Sequence, residues 1–135
     1  MVKMTAVYTG HKHCQANHEP SGSVIETDAP KDNQGSGEKF SPTDLVATAL
    51  GTCALTTIAI FAEKDSVDVT GSRMSVEKEM TPPPRRIASL KVILEMPASI
   101  PENYREKIRG YADNCPVKKS LHPDVNTPIE IHYVL

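Results

Sequence analysis

The sequence predicts a single α+β domain spanning residues 1–135, and three observations support this fold class. Stretches of alternating apolar residues indicate strands on both sides of a long apolar helix. A strong capping signal at Ser41 begins that helix. The length of 135 residues suits one domain better than two. We expect an antiparallel sheet packed around a buried central helix.

The N-terminal stretch, residues 3–27, predicts two or three short strands. Thr9-Gly10 and Pro20-Ser21-Gly22 are typical of the tight turns that separate strands. The next segment, residues 28–39, contains proline, asparagine and glycine and predicts a loop. At about twelve residues it is longer than the usual connection, and such loops are often functional.

The long helix is predicted to begin at Ser41. Ser41 is a good N-cap, Pro42 suits the first helical position, and Asp44 stands where a capping box needs an acceptor. From there to about Glu63 the sequence is apolar nearly all round, which is typical of a central helix. Cys53 lies in the middle of this helix.

The remaining elements are a strand pair, two helices and a closing strand. Residues 67–80 and 85–96 alternate like two long strands, and a change of apolar parity near Gly71 predicts a β-bulge. Residues 101–112 have the spacing of an amphipathic helix, and Cys115-Pro116 opens a short one. Residues 129–135 alternate as the last strand.

Charge and composition argue against several functional classes. The net charge of −2 offers no basic patch for nucleic acid, and the mixed charges offer none for a membrane surface. Residues 1–10 are too polar for a signal peptide, and threonines interrupt the apolar run of residues 45–62, which favours a core helix over a membrane span. We expect a cytoplasmic protein with free thiols and, given its small aliphatic core, an oligomer.

Each of the three cysteines has a chemical and a structural interpretation. Cys115, at a predicted N-cap, has the better setting for a thiolate, although a small buried residue would show the same pattern. Cys53 lies about three turns into its helix, beyond the reach of the helix dipole, so its context favours a core position. Cys14 follows His11 and His13 closely in the sequence. In a strand both histidines lie on the face opposite to Cys14, so the three side chains cannot converge on one metal ion, and no metal site is predicted.

Four segments resemble the OsmC/Ohr family, which comprises osmotically inducible protein C and the organic hydroperoxide resistance proteins. They are residues 27–38, 40–45, 49–53 and 114–117. The first looks like an OsmC-like branch rather than the typical peroxidases. The order of elements also matches, so the resemblance covers essentially the whole chain.

The resemblance implies an intertwined homodimer with active sites at the subunit interface. Carried over, Cys53 is the peroxidatic cysteine, which an organic hydroperoxide oxidises to a sulfenic acid. Cys115 is the resolving cysteine, which forms a disulfide with Cys53. A dithiol such as dihydrolipoamide then reduces the disulfide, and neither a cofactor nor a metal is implied.

The chain departs from the family pattern at the charged partners of the peroxidatic cysteine. Thr43 stands where typical members have a catalytic glutamate, and Asp44 beside it is expected to serve the helix cap. Glu38 is a tentative replacement for that glutamate. Typical members also have an arginine in the N-terminal half of the chain that holds the thiolate, whereas this chain has none before Arg73. The candidate cations are Lys12, Arg73, Arg85 and Arg86.

These departures keep two alternatives open beside the hydroperoxide reductase. One is a thiol redox sensor, or a protein that exchanges with a dithiol partner, without efficient peroxide turnover. The other is a small-molecule-binding dimer in which the cysteines no longer react.

Overall fold

The computed structural model describes all 135 residues, and they cluster into two compact units, Met1–Val46 and Ala47–Leu135. The boundary falls within the first α-helix. Whether the chain behaves as one cooperative domain stays a prediction.

The first unit contains an antiparallel three-stranded sheet. Its strands are β1 (Met4–Gly10), β2 (His13–His18) and β3 (Ser23–Asp28), in that spatial order. The predicted strands and the turn at residues 20–22 are confirmed, whereas Thr9-Gly10 belongs to β1 and the first turn lies after it. His11 and Lys12 turn the chain between β1 and β2 with positive φ angles of 54° and 60°.

One face of this N-terminal sheet is largely apolar and uncovered. Strand alternation and register place on it Met4, Ala6, Tyr8, Cys14, Ala16 and Ile25. Three of these side chains are strongly exposed, with Met4 at 64%, Tyr8 at 65% and Ile25 at 48%. The only buried residues of this unit, Asp28 and Ser41, are polar. The sheet therefore has no apolar core within its own unit.

Helix α1 spans Pro42–Lys64 and begins with the predicted capping box. The backbone N–H of Asp44 donates to Ser41 Oγ at 3.0 Å, and the backbone N–H of Ser41 donates to Asp44 Oδ2 at 2.9 Å. These reciprocal bonds satisfy two of the donors that a helix start leaves unpaired. The start of α1 is therefore confirmed.

Helix α1 is only partly covered within one chain. Six of its 23 residues are buried: Ala47, Leu50, Gly51, Ala54, Ile58 and Ala62. Outside this stripe, Ile60 is 51% exposed and Phe61 is 39% exposed. Length and composition alone would let α1 cross a membrane, but the core helix of a soluble protein meets the same criteria. Its burial as a central helix stays a prediction.

The second unit contains a mixed sheet of β4 (Arg73–Met80), β5 (Ile87–Met96) and β6 (Ile129–Tyr133). Strands β4 and β5 are antiparallel, whereas β6 runs parallel to β5. The expectation of a purely antiparallel sheet was therefore wrong. Two helices precede β6, and they give the chain the length that a parallel return requires.

Strand β4 starts later than the alternation predicted, and the bulge at Gly71 is absent. The backbone N–H of Thr70 donates to Asp68 Oδ1 at 2.9 Å, and Gly71 has a φ of +88°. An Asx-type bond followed by a left-handed glycine is a turn, so residues 67–72 form a connection instead of a strand.

The helices after β5 are α2 (Arg105–Asp113), preceded by a 3-10 turn at Glu102–Tyr104, and α3 (Pro116–Ser120). Tyr104, Ile108 and Ala112, spaced by four residues, are buried as predicted. The buried residues of this unit also include alternate residues of β5: Leu90, Val92, Leu94 and Met96.

Candidate functional site

Cys53 lies in α1, two residues after Gly51, where that helix packs closely against β4. A Cβ atom on Gly51 would lie 2.7 Å from Met74 Sδ and 2.9 Å from Val76 Cγ2, closer than real Cβ contacts. The glycine therefore allows α1 to pack tightly on the sheet. Cys53 itself is half-buried. This close approach fixes the depth at which its sulfur lies in the second unit.

Cys115 is the N-cap of α3, as predicted, and Pro116 occupies the first turn. The side chain of Cys115 is fully buried. The expectation that the helix terminus would make Cys115 the better thiolate was wrong, because burial raises the pKa of its thiol. A five-residue helix supplies too little compensation for the lost hydration of a thiolate.

The two cysteines of the second unit meet, although they are distant in sequence. The side chain of Cys115 lies near that of Cys53, whose proximity, after burial, also raises the pKa of Cys115. Both are free thiols. Two free thiols that lie near each other are a prerequisite for a disulfide.

Lys118 is the cationic residue beside Cys115. Its backbone N–H and its ammonium group both lower the pKa of Cys115, opposing burial. The ammonium also lies 3.2 Å from Asp113 Oδ1, and this carboxylate offsets part of its charge. Burial has the larger effect, so the pKa of Cys115 is raised overall and the neutral thiol is favoured.

The candidate cations for Cys53 differ in position. Arg73 is exposed and begins β4, and alternation places it on the face opposite to Met74, which contacts the Gly51 region of α1. Arg73 therefore points away from the helix that carries Cys53. Arg85 and Arg86 lie in the connection between β4 and β5. Lys12 lies in the β1–β2 turn of the first unit.

The carboxylates near the start of α1 serve the helix. Asp44 accepts the Ser41 N–H, as expected from the capping pattern. The hydroxyl of Thr43, at the position of the family's glutamate, lies 3.2 Å from Ser41 Oγ. Both side chains are therefore engaged in the first turn of the helix.

Glu38, the tentative acidic residue, lies in the first unit on a cavity of about 390 Å³. The cavity is lined by Thr9, Gly10, His11, His13, Asp28, Ser36, Glu38 and Lys39. The pKa of the buried Asp28 carboxyl is lowered chiefly by its bond to His13, and the backbone of Glu38 adds to this effect. Sequence reasoning missed Asp28 and its partner His13. The signal for this pair is that His13 and Asp28 face each other across β2 and β3. It can be recognised only when the register of the two strands is known.

The sequence profile of the family described as OsmC-like protein matches residues 35–130. Among solved structures, one from Psychrobacter arcticus 273-4, provisionally described as an osmotic stress induced and detoxification response protein, is 39% identical. The match covers 98% of this chain and 96% of that one, with a TM-score of 0.93. No curated protein matches the chain.

Two more distant structures share the fold. An organic hydroperoxide resistance protein OsmC from Legionella pneumophila is 17% identical, with a TM-score of 0.74 over 98% of this chain and 96% of that one. A Vibrio cholerae protein, described provisionally as an organic hydroperoxide resistance protein and solved with captopril in one active site, is 16% identical, with a TM-score of 0.77 over 99% and 92% of the two chains.

Proposed function

Because the chain belongs to the OsmC-like family, we propose that it reduces organic hydroperoxides through Cys53 and Cys115, in defence against oxidative stress. The observation that carries the proposal is the proximity of the two free thiols, through which Cys53 raises the pKa of the buried Cys115. Two relatives of the same fold are described as hydroperoxide resistance proteins, which agrees with this substrate class. The reducing cytoplasm is the compartment in which both thiols would be maintained.

The proposed cycle has three steps. The Cys53 thiolate attacks one peroxide oxygen, so an S–O bond forms, the O–O bond breaks, and the alkoxide leaves as an alcohol after taking up a proton. Cys53 is then a sulfenic acid. The Cys115 sulfur attacks it, forming the disulfide, and the hydroxyl leaves with the Cys115 proton as water. A dithiol, such as dihydrolipoamide, reduces the disulfide and is itself oxidised.

The burial of the two cysteines supports this division of roles. Cys53 is half-buried, whereas Cys115 is fully buried and its pKa is raised by that burial. A peroxide can approach a half-buried sulfur more readily than a fully buried one. A neutral thiol in contact with Cys53 needs no access to solvent, since it attacks the sulfenic acid beside it.

We further propose that the working form is a homodimer. The apolar face of the N-terminal sheet and the exposed apolar residues of α1 leave more apolar surface open than a stable monomer usually shows. A second copy would cover both at once and would bury α1 centrally. It would also bring further charged residues to the site, among which Glu38 and Lys12 are the candidates for the carboxylate and the cation.

One observation favours the redox sensor as a second candidate. Arg73 lies on the sheet face away from α1, so it does not supply the positive charge that stabilises a peroxidatic thiolate. A cysteine pair without that charge would still cycle between dithiol and disulfide, but with poor peroxide turnover.

Intact-mass measurement with cumene hydroperoxide tests the proposal, with and without a sulfenic-acid trap. If the protein reduces the peroxide, its mass should fall by two hydrogens without the trap, because the disulfide forms. With the trap, which competes with Cys115 for the sulfenic acid, an adduct should appear. Steady-state assays with a lipoyl dithiol distinguish the candidates. We expect kcat/KM for cumene hydroperoxide to exceed that for hydrogen peroxide by about 10-fold or more, since an apolar tail is buried. Disulfide formation without turnover would support the sensor instead.

A further inference from the structure

The loop that leads into α1 is fastened to the N-terminal sheet by His13. In the register of the sheet, His13 of β2 faces Asp28 of β3. Its Nδ1 lies 2.7 Å from Asp28 Oδ1, and its Nε2 lies 3.1 Å from Glu26 Oε1. Ionised carboxylate oxygens only accept hydrogen bonds, so both ring nitrogens must donate. The arrangement therefore requires the doubly protonated imidazolium form of His13.

Asp28 connects this imidazolium to the loop. It is 5% exposed, and its Oδ2 accepts the hydroxyl of Ser36 at 3.1 Å. A second connection runs through Glu26, whose Oε2 lies 3.5 Å from Lys39 Nζ. The carboxylates that His13 binds thus contact the loop at Ser36 and Lys39.

We propose that His13 is a proton-dependent latch, which holds the loop between Asp28 and Phe40 closed while both of its ring nitrogens are protonated and loosens the Lys39 end when one proton leaves. This inference does not rest on the thiol chemistry proposed above. It concerns the order of the segment that precedes the Cys53 helix.

The geometry determines which contact is lost. A neutral imidazole keeps one N–H, and the shorter bond to the buried Asp28 retains it. The lone pair on Nε2 then faces the Glu26 carboxylate, and two acceptors repel each other. Glu26 then moves away from His13, and its ion pair with Lys39 is lost. The other titratable residues on this cavity, His11 and Glu38, make no ion pair with His13.

The direction of the titration follows from the same contacts. The hydrogen bond to Asp28 is the largest cause that raises the pKa of His13 above its usual 6.5, followed by the bond to Glu26. The folded protein therefore holds this proton more tightly than the unfolded chain does. The latch is fully closed below pH 6.5 and opens as the pH rises through the raised pKa of His13.

Hydrogen exchange of the full-length protein tests the latch. Amide exchange of residues 36–40 is measured at several pH values and corrected for the intrinsic rate of exchange. The corrected rate should rise about twofold to fivefold across the titration of His13, the range expected of an exposed ion pair. His13→Gln should remove this pH-dependent step, whereas His18→Gln, a control that contacts Ser21 and no carboxylate, should retain it.

An NMR titration of the His13 ring protons gives an independent readout on the unmodified protein. A His13 pKa at or below 6.5 would overturn the latch, and so would a corrected exchange rate that does not change across the titration. Glu26→Gln should shift the midpoint of the His13 ring titration to lower pH, because the variant loses one of the two carboxylates that favour the imidazolium. An unchanged midpoint in that variant would also contradict the proposal.

Discussion

The phenol of Tyr104 donates a hydrogen bond of 2.7 Å to Asp65 Oδ2, across 39 residues of sequence. Asp65 directly follows α1, and Tyr104 directly precedes α2. The bond therefore ties the end of the Cys53 helix to the helical segment that leads to Cys115. Burial is the main cause that raises the pKa of Tyr104 far above its usual 10, and Asp65 adds to it.

Removing this hydroxyl should weaken the second unit. We expect Tyr104→Phe to lower the free energy of unfolding by about 1 kcal/mol, because one buried hydrogen bond is lost while the ring still packs. Tyr8→Phe, which alters a 65% exposed ring, should change it far less. Urea titrations above pH 10 give a second check. The wild type should lose the contribution of Tyr104 as the pH rises, since its folded pKa is raised, and Tyr104→Phe should lack that loss.

The two cysteines should respond differently to substitution. Cys115→Ser should leave a sulfenic acid on Cys53 that a dimedone trap captures, because the thiol that resolves it is missing. Cys53→Ser should consume no peroxide and give no adduct. Cys14→Ser serves as the control and should retain disulfide formation. Trapping at Cys115 in the Cys53→Ser variant would show that the roles are reversed.

Gly51 and Gly110 should respond in opposite directions to alanine. Overpacking of Met74 and Val76 costs about 1–3 kcal/mol, which exceeds the gain of about 1 kcal/mol in helix propensity, so Gly51→Ala should destabilise the protein. Gly110→Ala, in α2, meets nothing within 4 Å and should stabilise it by up to about 1 kcal/mol. Thermal unfolding measures both, and a stabilising Gly51→Ala would show that α1 approaches β4 less closely.

Adjacent residues of β3 provide a test of the proposed dimer. Ile25 lies on the apolar face of the N-terminal sheet, whereas Val24 lies on the opposite face with a similar exposure of 51%. Ile25→Glu should shift the protein towards monomer in light scattering at micromolar concentration, because a charge would be buried in the interface. Val24→Glu should remain dimeric. A monomeric wild type, stable to heat, would contradict the dimer itself.

Local features of the fold were predictable from the sequence, and long-range ones were not. The capping box at Ser41 and the N-cap at Cys115 depend on neighbouring residues, and both are present. The parallel pairing of β6 with β5 joins segments separated by two helices, and no local pattern encodes it. The start of β4 was predicted too early because apolar and polar residues already alternate from Val67 onwards, although residues 67–72 form a turn.

The candidate site shows the same division. Only the family resemblance suggested that Cys53 and Cys115 meet, because the local context of neither cysteine pointed to the other. The neutral state of Cys115 depends on its burial, which an N-cap motif does not reveal. The contact between His13 and Asp28 depends on the register of β2 and β3, which the turn residues alone did not establish.

The complete burial of Cys115 has a consequence for how an oxidised site would be regenerated. An external dithiol could reach only the Cys53 sulfur, so the mixed disulfide would form there and Cys115 would be the leaving group. A thiol whose pKa is raised leaves slowly. Recycling, and not peroxide cleavage, would then limit turnover, and rapid-quench mass spectrometry at limiting dithiol should find the oxidised pair as the accumulating species.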